Sequence, residues 1–394
     1  MIKSMLETDL YKLTMMQAVF HQFPSVSVKY EFKCRNKGLS KPDFRPFMQY
    51  LESEIDFVRQ LTFTSQELSY LKSLPFFKQD FIDYLFGYRN NHNNVKVYLN
   101  GDGELNIDVT GTWLNTVLLE VPILAAVNEV YFTVGKNLEE INKLRNEGAN
   151  RLSNKISELK KYNILGGRPL KIVEFGTRRR FSGEWQRQVV ETLKNEVPQN
   201  LIGTSNVLLA KELGLKPVGT HAHEWFMAHQ ALFRIEDSQK AALQNWANEY
   251  RGQLAIALSD TLGINAFLKD FDLYFAKLYD GVRQDSGDPM EIYNKVINHY
   301  KNLGIDSKTK TIIFSDGLDI SRAIEINRNT PEINSLFGIG TSLTNDMGPE
   351  PLQIVMKMVE CEGRPVAKIS EARGKTMCKN PVYLEYLKQV FGIE

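Results

Sequence analysis

Seven short runs rich in β-branched residues, spread between residues 170 and 345, constrain the fold of this chain more than any other feature of its sequence. The runs repeatedly end in glycine, serine, threonine, aspartate or arginine, and helical patterns follow them. The runs read LKIVEFGTRR, NLIGTSN, KPVGTHAHE, LAIALSD, DGVRQDSGDP, KTIIFSDGLD and SLFGIGTS. Such alternation is typical of parallel strands joined by helices. Because the carboxyl ends of parallel strands converge on one face, we expect their polar residues to form a functional site there.

The remaining sequence predicts two segments beside this barrel-like unit, which we place at 136–350. Residues 1–135 mix helical stretches with strand-like runs at 26–34 and 95–99, a pattern that predicts an α+β domain. Residues 351–394 read as a two-stranded hairpin and a short helix, expected to pack on the N-terminal domain or the barrel. The predicted fold class is α/β, with more than one domain, as a length of 394 residues favours.

Composition and charge exclude several classes of protein. Lys and Arg total 48 against 47 Asp and Glu, so the chain has no overall field that would hold nucleic acid or an anionic membrane. Any anion must therefore be bound locally. Cys34, Cys361 and Cys378 are widely spaced and form no CxxC motif, which argues against a disulfide framework and a structural zinc site and predicts a cytoplasmic location.

No segment of the sequence is predicted to cross a membrane. Glu7 and Asp9 interrupt the stretch where the apolar core of a signal peptide would lie. The most apolar segment, 117–127, is shorter than the ~20 residues of a transmembrane helix and contains Glu120 and Pro122. We expect it to be a buried core segment.

Histidines cluster in the string GTHAHEW, where His221, His223 and Glu224 follow one of the seven runs. Histidine transfers protons near neutral pH, and its neutral ring nitrogen can attack phosphorus. Two other interpretations stay open: a metal-binding pair, although no third ligand has the usual zinc spacing, and structural histidines hydrogen-bonded at a helix start. The position at a strand end favours a catalytic role.

Arginines mark two further strand ends. Arg178, Arg179 and Arg180 follow one run, so at least one guanidinium should face the convergent surface, where it can bind a carboxylate or phosphate with two hydrogen bonds. Arg283 has Asp285 two residues later, on the same side of an extended chain. A solvated basic face and a structural salt bridge are the respective alternatives.

Two loops, FSDGLD at 314–319 and FGIGTSLT at 337–344, predict backbone sites for phosphate, because glycine lets a ligand approach exposed N–H groups. Each loop alone would also suit an ordinary turn. The sequence has no Walker A motif and no GxGxxG at the start of a βα unit, which argues against kinases and dehydrogenases. The combined pattern predicts a site for an anionic sugar phosphate at a barrel mouth.

The ordered strings DLYKLTM, EFGTRRRFS, GTSN, GTHAHEWF, RQDSGDP, FSDGLD and FGIGT together resemble nicotinate phosphoribosyltransferases, over essentially the whole chain. The resemblance implies the type II phosphoribosyltransferase fold, in which an N-terminal α/β sandwich domain packs on an irregular α/β barrel. It also implies a homodimer that completes each active site across its interface. The implied reaction converts nicotinate and phosphoribosyl pyrophosphate (PRPP) into nicotinate mononucleotide and pyrophosphate, with Mg²⁺, and is coupled to ATP hydrolysis.

The resemblance also assigns roles to individual residues. It makes His223 the residue that ATP phosphorylates, with Glu224 or Asp260 orienting its ring. It places Phe175 and a Tyr11 from the partner subunit on either side of the pyridine ring. The remaining roles are these: Arg178 and Arg283 hold carboxylate and diphosphate, Asp285 and Asp316 bind ribose hydroxyls or magnesium, and Gly338, Gly340 and Thr341 hold the 5-phosphate. The negative charge of the departing diphosphate also makes Lys375 a candidate for a further cation.

Substrate choice is predicted from the GTSN loop, which supplies Thr204 and Ser205. The related nicotinamide enzymes carry an aspartate in this loop, and a carboxylate would repel nicotinate, whereas Ser205 would not. Nicotinamide or quinolinate phosphoribosyltransferase and a non-catalytic metabolite-binding barrel remain as alternatives. A sugar-phosphate aldolase would need a strand-end lysine, and none is found between 170 and 345.

Overall fold

The computed structural model describes residues 1–36, 42–90, 94–370 and 376–393, which form two sheets surrounded by helices. The strands are β1 Ser27–Cys34, β2 Val95–Leu99, β3 Leu105–Thr112, β4 Ile172–Glu174, β5 Leu201–Thr204, β6 Lys216–Pro217, β7 Ile256–Leu258, β8 Gly281–Gln284, β9 Thr311–Phe314, β10 Asn334–Ile339, β11 Ile354–Cys361 and β12 Arg364–Pro365. The helices are α1 Leu10–Gln22, α2 Met48–Gln60, α3 Ser65–Ser73, α4 Gln79–Gly87, α5 Trp113–Thr116, α6 Glu120–Thr133, α7 Leu138–Ile164, α8 Gly183–Glu196, α9 Val207–Leu213, α10 His223–Leu232, α11 Ser238–Tyr250, α12 Ile264–Asp270, α13 Leu273–Leu278, α14 Pro289–Asn302, α15 Ile320–Asn329, α16 Thr341–Thr344 and α17 Pro381–Phe391.

The larger sheet contains one strand from each of the seven predicted runs, and all its neighbours are parallel. The order of the strands across this sheet, in which neighbours are hydrogen-bonded, is β6-β5-β4-β10-β9-β8-β7. Because β4 pairs with β10, the strands can be followed around a ring in chain order from β4 to β10. Among the described residues, no hydrogen-bonded ladder joins β6 to β7. The strands are buried on both sides, as expected when helices cover a parallel sheet. The predicted irregular α/β barrel is confirmed.

The smaller sheet is antiparallel, in the order β12-β11-β1-β3-β2, and it unites the two ends of the chain. β11 pairs with β1 from Val28 opposite Cys361 to Cys34 opposite Ile354. The turn after β11 has positive φ at Glu362 and Gly363, and this twist suits a two-residue hairpin. The return strand is only two residues long, since the chain leaves the sheet after β12 and crosses to the barrel, where α17 buries Leu387.

The apolar segment around 117–127 is longer than the sequence argument allowed. The helical stretch Trp113–Thr133 has 21 residues and a mean hydropathy of 1.4 in its most apolar window, enough to cross a membrane by length and composition. Excluding it by length was therefore wrong. Within that window 78% of the residues are buried inside the protein, which is typical of a core helix and agrees with the predicted core position.

Candidate active site

A cavity of about 510 Å³ lies at the carboxyl ends of the barrel strands and is closed on its other side by the smaller sheet. This volume is in the usual range for small-molecule sites. The predicted residues that line it are Tyr11, Phe175, Arg178, Ser205, His223, Glu224, Arg283, Asp285, Asp316, Gly338, Gly340 and Thr341. Thr204 and Asp260 lie behind its wall, and Lys375 lies outside the described residues.

Tyr11 reaches this cavity from α1 of the same chain, where it is 8% exposed. Its assignment to a partner subunit is therefore corrected: α1 is bound to its own barrel, since the backbone N–H of Leu10 donates to the carbonyl oxygen of Ser205 at 2.8 Å. The Arg178 guanidinium lies 6.0 Å from the centroid of the Tyr11 ring, a cation–π contact. One chain thus supplies both Tyr11 and Phe175.

His223 stands at the first position of α10 and is held by a buried group of polar side chains. Its Nε2 lies 2.9 Å from Asp260 Oδ1 and 2.7 Å from Lys368 Nζ. Lys368 Nζ and Ser286 Oγ both donate to Asp260 Oδ2, at 2.8 and 2.7 Å. Burial, with Lys368 next, lowers the pKa of His223 to about 4. The ring is therefore neutral at physiological pH and keeps a lone pair for nucleophilic attack.

Glu224 does not contact the ring that it was a candidate to orient. Its Oε2 accepts from Lys12 Nζ at 2.7 Å, and Trp113 Nε1 donates to its Oε1 at 3.5 Å. Asp260 is the carboxylate that meets His223. The sequence could not separate the two, because Asp260 comes from the end of β7, on the far side of the gap in the barrel.

The other histidines of this region are structural. His221 is fully buried and lies edge-on to Phe226 and Trp246, and within the described part of the chain neither ring nitrogen has a hydrogen-bond partner. His229 is also buried and its Nδ1 lies 2.7 Å from the Trp225 carbonyl oxygen. The metal-binding pair of His221 and His223 is therefore wrong, because only His223 lines the cavity.

A different group, His223, Asp260 and Asp285, offers ligand atoms that all lie within 4.8 Å of one another. The Lys368 ammonium already contacts two members of this group at 2.7 and 2.8 Å. A cation in that place makes the group a poor fit for a metal ion. Asp285 and Asp316 also line the cavity, and their oxygens are the ligand type that magnesium prefers.

The three consecutive arginines have different environments, because a 3₁₀ turn at Thr177–Arg179 sends their side chains in different directions. Arg178 lines the cavity and approaches Glu120 at 3.4 Å and Asp9 at 3.8 Å. Arg179 lines the cavity and donates to the Ile354 carbonyl oxygen at 2.9 Å. Arg180 is 1% exposed and pairs with Glu7 and Glu129, so its role is structural.

Three cations that line the cavity have no carboxylate within salt-bridge distance among the described residues: Arg35, Arg179 and Lys357. We call them the cation cluster. Burial lowers the pKa of Lys357 to about 7, with Lys368 and Arg35 adding to the effect. Burial, with Arg178 and Arg35, lowers the pKa of Arg179 to about 10. Such crowded positive charge favours a strongly anionic ligand.

Sequence reasoning missed Arg35, Lys357 and Lys368, because none follows a barrel strand. They come from the end of β1, from β11 and from the segment after β12. One local signal was present: Lys357 is the single charge within the apolar alternation IVMKMV of β11. The barrel segment still has no strand-end lysine, but β11 and the segment after β12 place Lys357 and Lys368 in the cavity.

The pocket around Ser205 differs in one respect from the expectation. The Ser205 hydroxyl donates to Asp9 Oδ1 at 2.7 Å, so a carboxylate does lie next to this serine. Burial raises the pKa of Asp9, and the nearby Arg178 opposes that rise. Because Arg178 lies 3.8 Å away, the Asp9 charge is compensated within the protein.

Glycines beside the cavity permit a close approach of β10 to the end of β4. A Cβ atom on Gly338 would lie 2.4 Å from Cδ2 of the Phe175 ring, and one on Gly340 would lie 2.9 Å from the Phe175 carbonyl oxygen. The glycines thus set the position of Phe175 as well as exposing backbone N–H groups. Thr341 follows as the first residue of α16.

Glu174, at the end of β4, should make stability pH-dependent. It is fully buried and accepts from the Thr204 hydroxyl at 2.6 Å, and burial, only partly offset by hydrogen bonds, raises its pKa to about 7. The folded chain therefore holds a proton between pH 4.5 and 7 that the unfolded chain has lost, so stability falls as pH rises through this window. We expect the wild type to lose roughly 3 kcal/mol of unfolding free energy relative to Glu174→Gln.

Urea unfolding at several pH values between 4.5 and 8 would measure this difference. Glu139→Gln, at an exposed position at the start of α7, is the matched control and should follow the wild type. Parallel pH profiles for the wild type and Glu174→Gln would contradict the assignment.

The comparisons with known proteins agree with this architecture. The family model described as nicotinate phosphoribosyltransferase (NAPRTase) family matches residues 170–394, and its N-terminal domain model matches 6–128. The chain is 49% identical to the nicotinate phosphoribosyltransferase of Cupriavidus necator, covering 100% of this chain and 99% of that relative. The crystal structure of nicotinate phosphoribosyltransferase from Vibrio cholerae matches with a TM-score of 0.93 and 41% identity, covering 100% of this chain and 94% of that one. The corresponding structure from Porphyromonas gingivalis matches with a TM-score of 0.88 and 34% identity, covering 100% of both chains. The chain therefore belongs to the nicotinate phosphoribosyltransferase family.

Proposed function

We propose that this protein converts nicotinate and PRPP into nicotinate mononucleotide and pyrophosphate, and that ATP drives the reaction by phosphorylating His223. The observation that carries the proposal is the neutral His223, held by Asp260 and Lys368 in the same cavity as two aromatic rings and the cation cluster. The relatives in the comparisons carry the name of this activity.

Phe175 and Tyr11 would hold the pyridine ring, because both aromatic side chains line the cavity. Arg178 would hold the carboxylate of nicotinate. Its contacts with Glu120 and Asp9, at 3.4 and 3.8 Å, are longer than the ~2.8 Å of a good charge-assisted hydrogen bond. The guanidinium can therefore form a tighter bond with an incoming carboxylate.

The cation cluster and Arg283 would hold the diphosphate of PRPP. Breaking the bond to the anomeric carbon leaves positive charge on the ribose and negative charge on the departing pyrophosphate. Fixed cations at that position stabilise the leaving group as its charge grows. Arg283 lies 3.8 Å from Asp285, so this cation too remains available to a ligand.

Magnesium fits the carboxylates on the same side of the cavity. Asp285 and Asp316 would hold it, and Ser315 Oγ fixes the Asp285 carboxylate by donating to its Oδ1 at 2.9 Å. When bound, the ion would neutralise diphosphate charge. The same carboxylates could instead accept hydrogen bonds from the ribose hydroxyls. Backbone N–H groups near Gly338, Gly340 and Thr341 would hold the 5-phosphate.

His223 would accept the γ-phosphoryl group of ATP, forming a nitrogen–phosphorus bond as ADP leaves. Attack of water on this phosphohistidine then releases phosphate and regenerates the ring. The free and the phosphorylated forms of His223 differ in charge, and the cation cluster lies in the same cavity. One form would therefore bind the substrates tightly and the other would release the product, so that ATP hydrolysis drives the change between them. A homodimer remains part of the proposal, although Tyr11 does not require one.

We also propose a cytoplasmic location, which the three free cysteines support.

Product analysis tests the proposed function. Purified protein is mixed with PRPP, magnesium and nicotinate, with and without ATP, and nicotinamide and quinolinate replace nicotinate in parallel reactions. We expect nicotinate mononucleotide, in larger amounts with ATP. If a mononucleotide forms only from nicotinamide or only from quinolinate, the assignment of nicotinate as the substrate is wrong and that base takes its place. No mononucleotide from any of the three bases would favour a metabolite-binding protein.

A further inference from the structure

We propose that Lys12 is a positioning residue that joins the base pocket to the His223 segment through two buried carboxylates, Glu120 and Glu224. This inference rests on the proposed function, because it concerns the nicotinate site and the ATP-responsive histidine. Lys12 does not line the cavity and would not touch a substrate.

Lys12 lies on α1 with none of its side chain exposed. Its Nζ is 2.6 Å from Glu120 Oε2 and 2.7 Å from Glu224 Oε2, and both carboxylates are buried. Burial alone would lower the pKa of Lys12, but the two carboxylates raise it above its ordinary value. Buried ion pairs add little net stability as a rule, so a lysine held in this way calls for another reason.

Each carboxylate continues to a different part of the site. The second oxygen of Glu120 lies 3.4 Å from Arg178 Nη1. Glu224 follows His223 directly in the first turn of α10, and Trp113 Nε1 donates to its second oxygen at 3.5 Å. Charges of alternating sign thus run without a break from Arg178 through Lys12 to the residue beside His223.

The helix that carries Lys12 is itself fixed to the loops after two barrel strands. The Leu10 backbone N–H donates to the Ser205 carbonyl oxygen after β5, at 2.8 Å. The Thr14 hydroxyl donates to the Thr220 carbonyl oxygen after β6, at 2.9 Å. Lys12 therefore has a defined position relative to both pockets, and it can hold the Glu120 and Glu224 carboxylates at fixed positions relative to each other.

Loss of the Lys12 charge should disturb both pockets at once. Glu120 would move towards Arg178, its remaining cation, and Arg178 would no longer be held where it binds the nicotinate carboxylate. Glu224 would be left as a buried charge at the start of α10, and relieving it would move His223. Removing only Glu120 or only Glu224 should disturb one pocket each, because Lys12 keeps the other carboxylate.

The experiment compares Lys12→Met, Glu120→Gln and Glu224→Gln in the full chain, measuring the nicotinate KM and the stimulation by ATP separately. For Lys12→Met we expect the KM to rise at least about ten-fold and the stimulation to fall at least about ten-fold. Glu120→Gln should raise the KM, because Arg178 loses the carboxylate that holds it in place, and should keep the stimulation within about two-fold of the wild type. Glu224→Gln should lower the stimulation by ATP and keep the nicotinate KM within about two-fold of the wild type.

Lys310→Met is the matched control, because Lys310 is a buried lysine at the opposite, amino end of the strands, where it donates to the Tyr279 carbonyl oxygen at 2.7 Å. It should lower stability and leave both kinetic parameters unchanged. A folded Lys12→Met that alters only one parameter overturns the proposal, and so do two glutamine variants that each alter both. If Lys12→Met does not fold, the glutamine variants decide. A wild type without nicotinate turnover would instead refute the proposed function.

Discussion

Replacing His223 with alanine should abolish the stimulation of nicotinate mononucleotide synthesis by ATP. The wild-type ring is neutral because burial lowers its pKa to about 4, and Asp260 and Lys368 fix it at the cavity wall. Alanine removes the nucleophile and leaves the aromatic rings and the cation cluster in place. We expect the ATP-dependent part of the rate to fall at least about 100-fold, while a slow ATP-independent reaction continues. Initial rates with and without ATP give the ratio directly.

The control for this experiment is His299→Ala. His299 lies on α14, where its Nε2 is 2.7 Å from the Phe271 carbonyl oxygen and away from the cavity lining. It should keep the wild-type response to ATP. Equal stimulation of His223→Ala and the wild type would show that the histidine assignment is wrong and that family membership stands without it. Incubation with γ-labelled ATP adds a direct readout, since label should be retained by the wild type and not by His223→Ala.

Affinity for PRPP should depend on the charge of Lys357. Its pKa of about 7 in the ligand-free cavity means that it is charged below pH 7 and loses its charge above. A diphosphate binds the charged form more tightly, so the PRPP KM of the wild type should rise as pH increases through this range. A charge-assisted hydrogen bond contributes ~1.5–3 kcal/mol, which corresponds to about 10- to 100-fold in KM.

Two substitutions separate charge from shape at this position. Lys357→Met should show the weak affinity of the deprotonated wild type at every pH. Lys357→Arg keeps its charge throughout, so its KM should stay low between pH 6 and pH 9. PRPP ionises in the same way with all three proteins, and the comparison between them isolates the residue. If Lys357→Met retains the pH dependence of the wild type, another group is responsible for it.

Local sequence pattern was sufficient for the barrel and for much of its site. All seven runs contain a strand of the parallel sheet, because a buried parallel strand needs a continuous apolar run and its end must return to polar residues. Arg283 and Asp285 follow β8 and both line the cavity, as their spacing predicts. The pattern could not decide which of Arg178, Arg179 and Arg180 faces inward, because one 3₁₀ turn directs three neighbouring side chains to different sides and local spacing does not fix which side meets the cavity.

The amino-acid sequence by itself determined the strands, their polar ends and, through the resemblance of its motifs, the family. Periodicity is a local property, and each strand end can be recognised within about ten residues. Only the tertiary structure decided that Tyr11 comes from the same chain, that Asp260 holds His223, and that Lys357 and Lys368 reach the cavity. These contacts join residues that are far apart in the chain and depend on how the antiparallel sheet packs over the barrel. Burial within that packing also sets the charge of His223 and Lys357, because a pKa depends on the surroundings of a side chain as well as on its type.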